Sequence, residues 1–241
     1  MTAPATKPPA KRGRSAPARD PDRVRGMFDG IAPRYDTANH LLSGGIDFYW
    51  RWRAARAVAN WEPRHVLDLA TGSGDLAFAI QRRIPDAEVT GADFSSEMLA
   101  RARAKGLTRT IVADALALPC ADGSFDCVTV AFGLRNMADW AAALREMSRV
   151  LCPGGHVLVL DLSLPHPVFR PVYRVYLHRC LPVLAAWITG RRDAYEYLAA
   201  SIEEFPSGAT MTRLMEANGF AEATATPLTG GIASMYTAQK R

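Results

Sequence analysis

Four aspartates stand where chemistry could be done. Asp68 follows the apolar Val66-Leu67, Asp93 closes the run Ala87 to Ala92, Asp114 comes just after Thr110 to Val112, and Asp75 sits behind two glycines, Gly72 and Gly74. Carboxylates at strand ends accept hydrogen bonds from hydroxyls and amines, and they repel phosphates. Gly72 and Gly74 lack a Cβ, so the backbone there can turn sharply and approach a ligand closely. Asp93 falls about 20 residues after the glycines, the place of a carboxylate that accepts from ribose hydroxyls in a nucleotide-binding crossover. The spacing Gly72-x-Gly74-x-x-Ala77 also fits a dinucleotide fingerprint. A pyrophosphate, however, calls for a neutral or positive cradle at a helix N-terminus. The acidic surroundings instead suit a ligand with ribose hydroxyls, an ammonium and a sulfonium, which is S-adenosylmethionine. Asp68, Thr71, Gly72 and Gly74 are thus expected to form the cofactor loop. An NAD site, or a purely capping role for Asp68 and Asp75, are the alternatives.

The elements that must position these residues read as an alternation. Val66 to Leu69 form a buried strand, and Asp75 to Arg83 a helix. A second strand runs from Ala87 to Ala92, and Ser95 is placed to cap the helix through Met98, Leu99 and Ala102. Thr110 to Val112 make a third strand, after which Asp114-Ala115 could flank an adenine ring. Phe125 to Ala131 make a fourth. Trp140, Ala143, Leu144, Met147 and Leu151 recur at helical spacing. Pro153-Gly154-Gly155 then stop that helix and turn into a fifth strand, His156 to Leu162. A helix with Met211, Leu214 and Met215 ends at Gly219, followed by strands near Ala221 to Ala225 and Ile232 to Ala238. Strands separated by helix-sized segments imply an α/β, doubly wound, mostly parallel seven-stranded sheet, Rossmann-like.

Two regions depart from this rhythm. Residues 21–60 read as short N-terminal helices capping the sheet, with Met27, Phe28, Ile31 and Tyr35 at helical spacing and Trp50, Trp52 and Val58 on a further helix. Residues 163–205 form a dense apolar insertion with Arg170, Arg174 and Arg179 interleaved, broken by Pro182 and Gly190. It is either packed on the domain or a lid over an apolar substrate that also touches a membrane surface.

The 241 residues suffice for one α/β domain with additions, and 49% of them are apolar. The formal charge of +5 resides in residues 1–25, which carry seven basic and two acidic side chains; the remaining 216 residues balance. The basic character is therefore that of a tail, expected to be disordered over residues 1–20, and no nucleic-acid groove is implied. Cys120, Cys127, Cys152 and Cys180 have no metal-ligand spacing and read as reduced thiols of a cytoplasmic protein. No transmembrane stretch, secretory signal or metal site is expected.

The run Ala131-Phe132-Gly133-Leu134-Arg135-Asn136-Met137 resembles the ubiquinone/menaquinone biosynthesis C-methyltransferase family. Met27-Phe28, Tyr35-Asp36, Asn39, the Asp68 to Asp75 loop, Pro153-Gly154-Gly155, Tyr195 to Ser201, Phe205-Pro206 and Leu228-Thr229-Gly230-Gly231 extend the resemblance over nearly all of the chain from residue 21. It implies the class I S-adenosylmethionine methyltransferase fold and methyl transfer to a ring carbon of a polyprenyl quinol. The demethylmenaquinone branch is favoured by Phe205-Pro206. Ser73 and Asp93 would contact the cofactor, with Asp114 and Ala115 near the adenine. Asp114 stands where many relatives have Asn, and Ala131, also beside the cofactor, where relatives often have Ser. Arg135, just after the fourth strand, would stabilise a quinolate or orient a proton-accepting water; a salt bridge to Asp161 or Glu196 is its plain alternative. Tyr35 would bond the other quinol oxygen and Asn136 would position either partner. Peripheral membrane contact and a homodimer are further expectations. Other readings are ubiquinone-type methylation, a different small apolar acceptor, or a non-catalytic cofactor-binding protein.

Overall fold

In a computed structural model of the chain, the structure describes residue 26, residues 43–183 and residues 192–241, with the side chains of 192–195 excepted. The expected basic tail and Tyr35, Asp36 and Asn39 lie outside these residues.

Seven strands form one sheet: β1 (His65–Leu69), β2 (Glu88–Asp93), β3 (Arg109–Val112), β4 (Phe125–Ala131), β5 (Leu151–Leu162), β6 (Phe220–Leu228) and β7 (Ala233–Lys240). Their order is β3-β2-β1-β4-β5-β7-β6. The first five run parallel, while β7 is antiparallel to both β5 and β6. Val66, Leu67 and Leu69 are buried on both faces, as central parallel strands require.

The helices are α1 (Ile46–Ala59), α2 (Asp75–Arg83), α3 (Ser96–Ala104), α4 (Trp140–Val150), α5 (Arg170–Val175), α6 (Arg192–Glu204) and α7 (Ala209–Ala217). Ser95 caps α3 by accepting from the Met98 N–H at 3.2 Å. Asp139 does the same for α4, accepting from Ala142 at 2.9 Å. Two cores result, one per face of the sheet. One packs α4 and α7 through Leu144, Met147, Met211 and Met215. The other packs α1 and α2 through Trp50, Ala54, Leu76 and Ile80.

Two expected boundaries moved. β5 begins at Leu151, not His156, because Leu151 pairs with Phe125 before the register slips and His156 pairs with Cys127. Pro153-Gly154-Gly155 is therefore an irregular stretch within a strand. The terminal hairpin is also longer than expected. In the insertion, α5 continues into a π-helical turn, Tyr176–Cys180. Leu177, Leu181, Ala199 and Ile202 form its own small core with α6.

The strand order reverses between β1 and β4, whose neighbours lie on opposite sides. The crevice at the carboxyl ends of such a pair is where open α/β sheets bind ligands.

Candidate active site

A cavity of about 120 Å³ opens at that crevice. Its walls come from the segments that follow β1, β2, β3 and β4. After β1, Ala70 takes φ +48° and Gly72 φ +56°, turning the loop across the sheet's end. The loop is then tied to β2: Thr71 N–H donates to the Ala92 carbonyl at 3.1 Å and Gly72 N–H to Asp93 Oδ2 at 2.9 Å. Asp93 Oδ1 accepts from Ser95 N–H at 2.9 Å. Asp93 therefore fixes two backbone turns and lines the cavity. Asp114 Oδ1 accepts from Leu116 N–H at 2.9 Å and also lines the cavity, next to Ala115.

The expected cofactor residues divide in two. Gly72, Asp93, Asp114, Ala115 and Ala131 line the cavity, whereas Asp68, Thr71, Ser73 and Gly74 do not. Asp68 lies beneath the loop, 1% exposed, accepting from Thr71 Oγ1 at 2.6 Å and Thr129 Oγ1 at 2.7 Å. Burial raises its pKa to about 6, against the opposing pull of those two hydrogen bonds and of Arg51. Ser73 accepts from Lys105 Nζ at 3.0 Å. Gly74, at φ +92°, packs so closely on Phe78 that a Cβ would lie 2.8 Å from its ring. Phe94, which the sequence analysis did not single out, Met98, read only as a helix residue, and Met137, read only as the end of the signature run, also line the cavity.

Among the described residues no lysine or arginine lines this cavity; its charged members are Asp93 and Asp114. Those acceptors suit ribose hydroxyls, an adenine amine and a sulfonium, and disfavour a pyrophosphate.

A second, larger cavity of about 440 Å³ lies alongside, and Phe132 belongs to the walls of both. Phe132 follows β4 at φ +58°, a left-handed conformation that costs a bulky residue about 1–3 kcal/mol. Its neighbours hold it there. Its N–H donates to the Leu160 carbonyl at 2.7 Å. Its own carbonyl accepts from Arg135 at 2.6 Å and from Asn136 Nδ2 at 3.3 Å. Its ring lies 6.0 Å from that of Trp50 and under the Arg51 guanidinium at 5.1 Å. Gly133 is needed next, because a Cβ there would meet Ala70 Cβ at 2.5 Å.

Arg135 and Asn136 sit in a single 3₁₀ turn, Leu134–Asn136, and face different cavities: Asn136 the first, Arg135 the second. Arg135 is 5% exposed and pairs with the fully buried Asp161 at 2.6 Å. Asp161, not Glu196, is thus its carboxylate. The same arginine keeps a buried Nε–H that has no hydrogen-bond partner among the described residues.

The rest of the second cavity is apolar with a few polar edges. Leu177, Leu181 and Ile202 come from the insertion, with Tyr173 and Tyr176 beside them. Burial pushes the Tyr173 hydroxyl up to about 12. Thr229, from the motif ahead of β7, accepts from Trp50 Nε1 at 2.8 Å. Asp47, Trp50 and Arg51 of α1 complete the wall, and sequence reading had given none of them a site role; the Asp47/Arg51 spacing of four was the available signal. Phe205, by contrast, packs edge-on against Trp140 at 5.5 Å in the core and lines neither cavity.

A doubly wound sheet with an acidic, phosphate-averse cavity at its switch point and a separate apolar cavity beside it is the arrangement of a class I S-adenosylmethionine-dependent methyltransferase. Solved structures share the fold at low identity. One is a methyltransferase of Thermotoga maritima described as a possible histamine N-methyltransferase (TM-score 0.66, 18% identity, 90% of this chain and 100% of that one). Another is a phosphoethanolamine N-methyltransferase of Haemonchus contortus, in complex with S-adenosyl-L-methionine (TM-score 0.63, 17% identity, 90% and 59%).

Residues 17–240 match the model of the ubiE/COQ5 methyltransferase family, and the chain belongs to that family. It is 49% identical over 220 residues to the demethylmenaquinone methyltransferase of Thermus thermophilus, covering 89% of this chain and 100% of that one. It is 41% identical over 228 residues to the ubiquinone/menaquinone biosynthesis C-methyltransferase UbiE of Geobacter sulfurreducens, covering 91% and 89%. The chain is an S-adenosylmethionine-dependent methyltransferase.

Proposed function

We propose that this methyltransferase acts on a ring carbon of a polyprenyl quinol, with demethylmenaquinol as the acceptor. The observation that carries the reading is the buried, unpartnered Nε–H of Arg135 in the wall of an apolar cavity adjoining the cofactor cavity. Names of relatives such as that of Thermus thermophilus agree with it.

Bound in the first cavity, S-adenosylmethionine supplies an activated methyl group and a thioether leaving group. Asp93 and Asp114 would hold it there with Gly72, Ala115 and Ala131. A neutral quinol carbon is a weak nucleophile, and negative charge on the adjacent oxygen raises its electron density. Arg135 stays protonated in proteins. Asp161 fixes its guanidinium, leaving Nε–H to donate to the quinol oxygen as charge develops, which is preorganised electrostatic stabilisation. Phe132, between the two cavities, sets the approach of ring carbon and methyl, which must come within about 3–3.5 Å. Asn136 positions the cofactor side through the same turn. Tyr35 is assigned the second quinol oxygen.

Leu177, Leu181 and Ile202 give the insertion the role of a lid over the ring and the start of the prenyl chain. Its outer side favours peripheral membrane contact, from which so apolar a substrate would be drawn. Val168, Phe169, Val172, Val175 and Val183 are all at least half exposed there, with Arg174 and Arg179 among them. None of the helices among the described residues is long and apolar enough to cross a membrane.

The test is incubation of the protein and cofactor with a reduced short-chain demethylmenaquinol or the corresponding unmethylated ubiquinol precursor. Mass spectrometry should find one methyl added to the ring of the naphthoquinol. No ring methylation of either quinol would overturn the reading, and preference for the benzoquinol would move it to the ubiquinone branch.

A further inference from the structure

Asp47 is 4% exposed, in the first turn of α1, and is the only carboxylate lining the second cavity among the described residues. Its Oδ1 accepts from Ser43 Oγ at 2.7 Å, and its Oδ2 pairs with Arg51. Arg51 in turn lies over the Phe132 ring and reaches Asp75 of α2 at 3.6 Å. Asp47 is thereby tied to the residue that divides the two cavities, on the side of the second cavity. An acid in a first turn pairing with Arg four residues on is often only a helix stabiliser. Such pairs sit at the surface, whereas this one is in the wall of an apolar cavity.

We propose that the Asp47 carboxylate accepts the quinol hydroxyl proton during methyl transfer. This rests on the quinol reading given above. The quinol O–H proton passes to a carboxylate oxygen, and its electron pair becomes the C–O π bond. The displaced ring π pair forms the new carbon–methyl bond as the sulfur departs with the old C–S pair. Loss of the ring carbon's own hydrogen to water restores aromaticity, and Asp47 returns its proton to the oxygen. One proton is released overall.

The match of acidities makes a carboxylate suitable. A free phenolic hydroxyl has a pKa of about 10 and an aspartic acid about 4. Once the ring carbon is bonded, that oxygen belongs to a protonated carbonyl, a far stronger acid than either. A base lying between these limits is effective when proton loss and bond formation are concerted. A carboxylate offers about four acceptor positions, so partners such as Ser43 and Arg51 are compatible with receiving a hydroxyl. Among the described residues, the charged and titratable groups around it are Arg51 on its own helix, Asp75 of α2 behind Arg51, Arg135 after β4, and Tyr173 and Tyr176 of the insertion. Arg135 and Asp47 would then divide the work, one stabilising charge on oxygen and the other removing the proton.

The experiment compares wild type, Asp47→Asn and Asp47→Glu in single-turnover methylation of a short-chain demethylmenaquinol across about pH 6 to 9. Cofactor affinity is measured by titration. A second readout needs no cofactor: 2-naphthol, whose hydroxyl becomes strongly acidic on excitation, should emit as naphtholate when bound beside a proton acceptor. Asp47→Asn should lower the rate by about 10² to 10⁴, the span of general-base catalysis, with cofactor affinity unchanged. Its residual rate should rise about tenfold per pH unit while the wild type stays flat, because quinolate must then form in solution. The naphtholate band should be lost in Asp47→Asn and kept in Asp47→Glu, which also recovers part of the rate. If the Asn variant does not fold, the Glu variant and the wild-type naphthol spectrum decide. A wild-type-like rate in Asp47→Asn, or a naphtholate band that is absent from the wild type or unchanged by the substitution, overturns the role of Asp47. A wild type that methylates no quinol overturns the quinol reading itself, and this inference with it.

Discussion

The two cavities meet at Phe132 but are built differently. The first is made of strand ends and backbone turns, held by hydrogen bonds such as Gly72 N–H to Asp93. The second is made of helices: α1 on one side and the insertion on the other, closed by side chains such as Trp50, Tyr173 and Leu177. Geometry on the sheet is fixed by the ladder; geometry on the helices depends on how they pack. A cofactor common to a fold can be held by the first kind of wall, while acceptor choice is left to the second.

Arg135 belongs to both, being anchored in the sheet through Asp161 and facing the helical cavity. It should give the largest effect. Arg135→Ala leaves Asp161 buried without its partner, a change that costs about 3–5 kcal/mol in stability, and it removes one preorganised donor, worth about 10² to 10³ in kcat. Arg135→Lys separates the two. A lysine restores charge beside Asp161 but not the planar fork, so most stability should return while kcat stays low. Urea unfolding and single-turnover rates on both variants are the measurements. Full recovery of rate with lysine would reduce Arg135 to a structural cation.

The next effect concerns the carboxylate buried beneath the loop that borders the first cavity. Burial holds the folded pKa of Asp68 at about 6, above the 3.8 of a free carboxyl. The folded state thus binds more protons than the unfolded one between these values. The associated stability is fully present below about pH 4 and is lost as pH rises through 6. Two pKa units amount to about 3 kcal/mol at most. Asp68→Asn cannot titrate, so its stability relative to wild type should improve by up to that amount from pH 4 to pH 7.5. A difference that is constant with pH in urea unfolding would show that Asp68 titrates normally.

How much was legible follows the same division. The bounds of β4 and α2 are those expected from the sequence, since apolar runs with a glycine turn or polar flanks leave little freedom. The glycine loop and Asp93 were likewise visible as a spacing. What spacing did not show is that Asp68 and Thr71 bond each other under the loop instead of lining the cavity, because a motif gives proximity and not direction. The insertion was undecided for another reason. Tyr173, Leu177 and Leu181 fall on one face and Val168, Val172 and Val175 on the other, so its pattern is apolar all round and periodicity cannot choose a side. Only the packing onto α6 and the cavity tells them apart. Asp47 and Arg51 were missed because a first-turn ion pair looks the same in sequence whether it faces water or a substrate.

Asp93→Ala tests the sheet-built cavity. Loss of a hydrogen bond to a charged group costs about 1.5–3 kcal/mol, so S-adenosylmethionine affinity should fall roughly tenfold to a hundredfold in calorimetric titration. Asp93→Asn keeps an acceptor for Gly72 or Ser95 and should fall between. The acceptor side should be untouched: 2-naphthol binding should match wild type in both variants. Unchanged cofactor affinity would remove Asp93 from the site, and loss of naphthol binding would show that the two cavities are not separable.

The smallest effect should come from the outer face of the insertion, where the helical cavity meets solvent. Phe169 is 60% exposed and Val172 74% exposed at the start of the insertion. Neither touches the cavity, so their replacement should leave the chemistry alone. Full burial of such a side chain is worth about 1.5–3 kcal/mol; shallow contact with a lipid surface would recover part of that, about 1 kcal/mol each. Phe169→Ser with Val172→Ser should therefore weaken cosedimentation with anionic vesicles by roughly tenfold to thirtyfold. Methylation of a soluble short-chain quinol should be unchanged, while methylation of a long-chain quinol carried in the vesicles should slow. The interleaved arginines predict in addition that raising salt weakens vesicle binding in wild type and variant alike, because exposed charge is screened within about 10 Å at 0.1 M salt. Equal vesicle binding by wild type and the double variant would leave the insertion as a lid alone, with its outward valines and phenylalanine facing water.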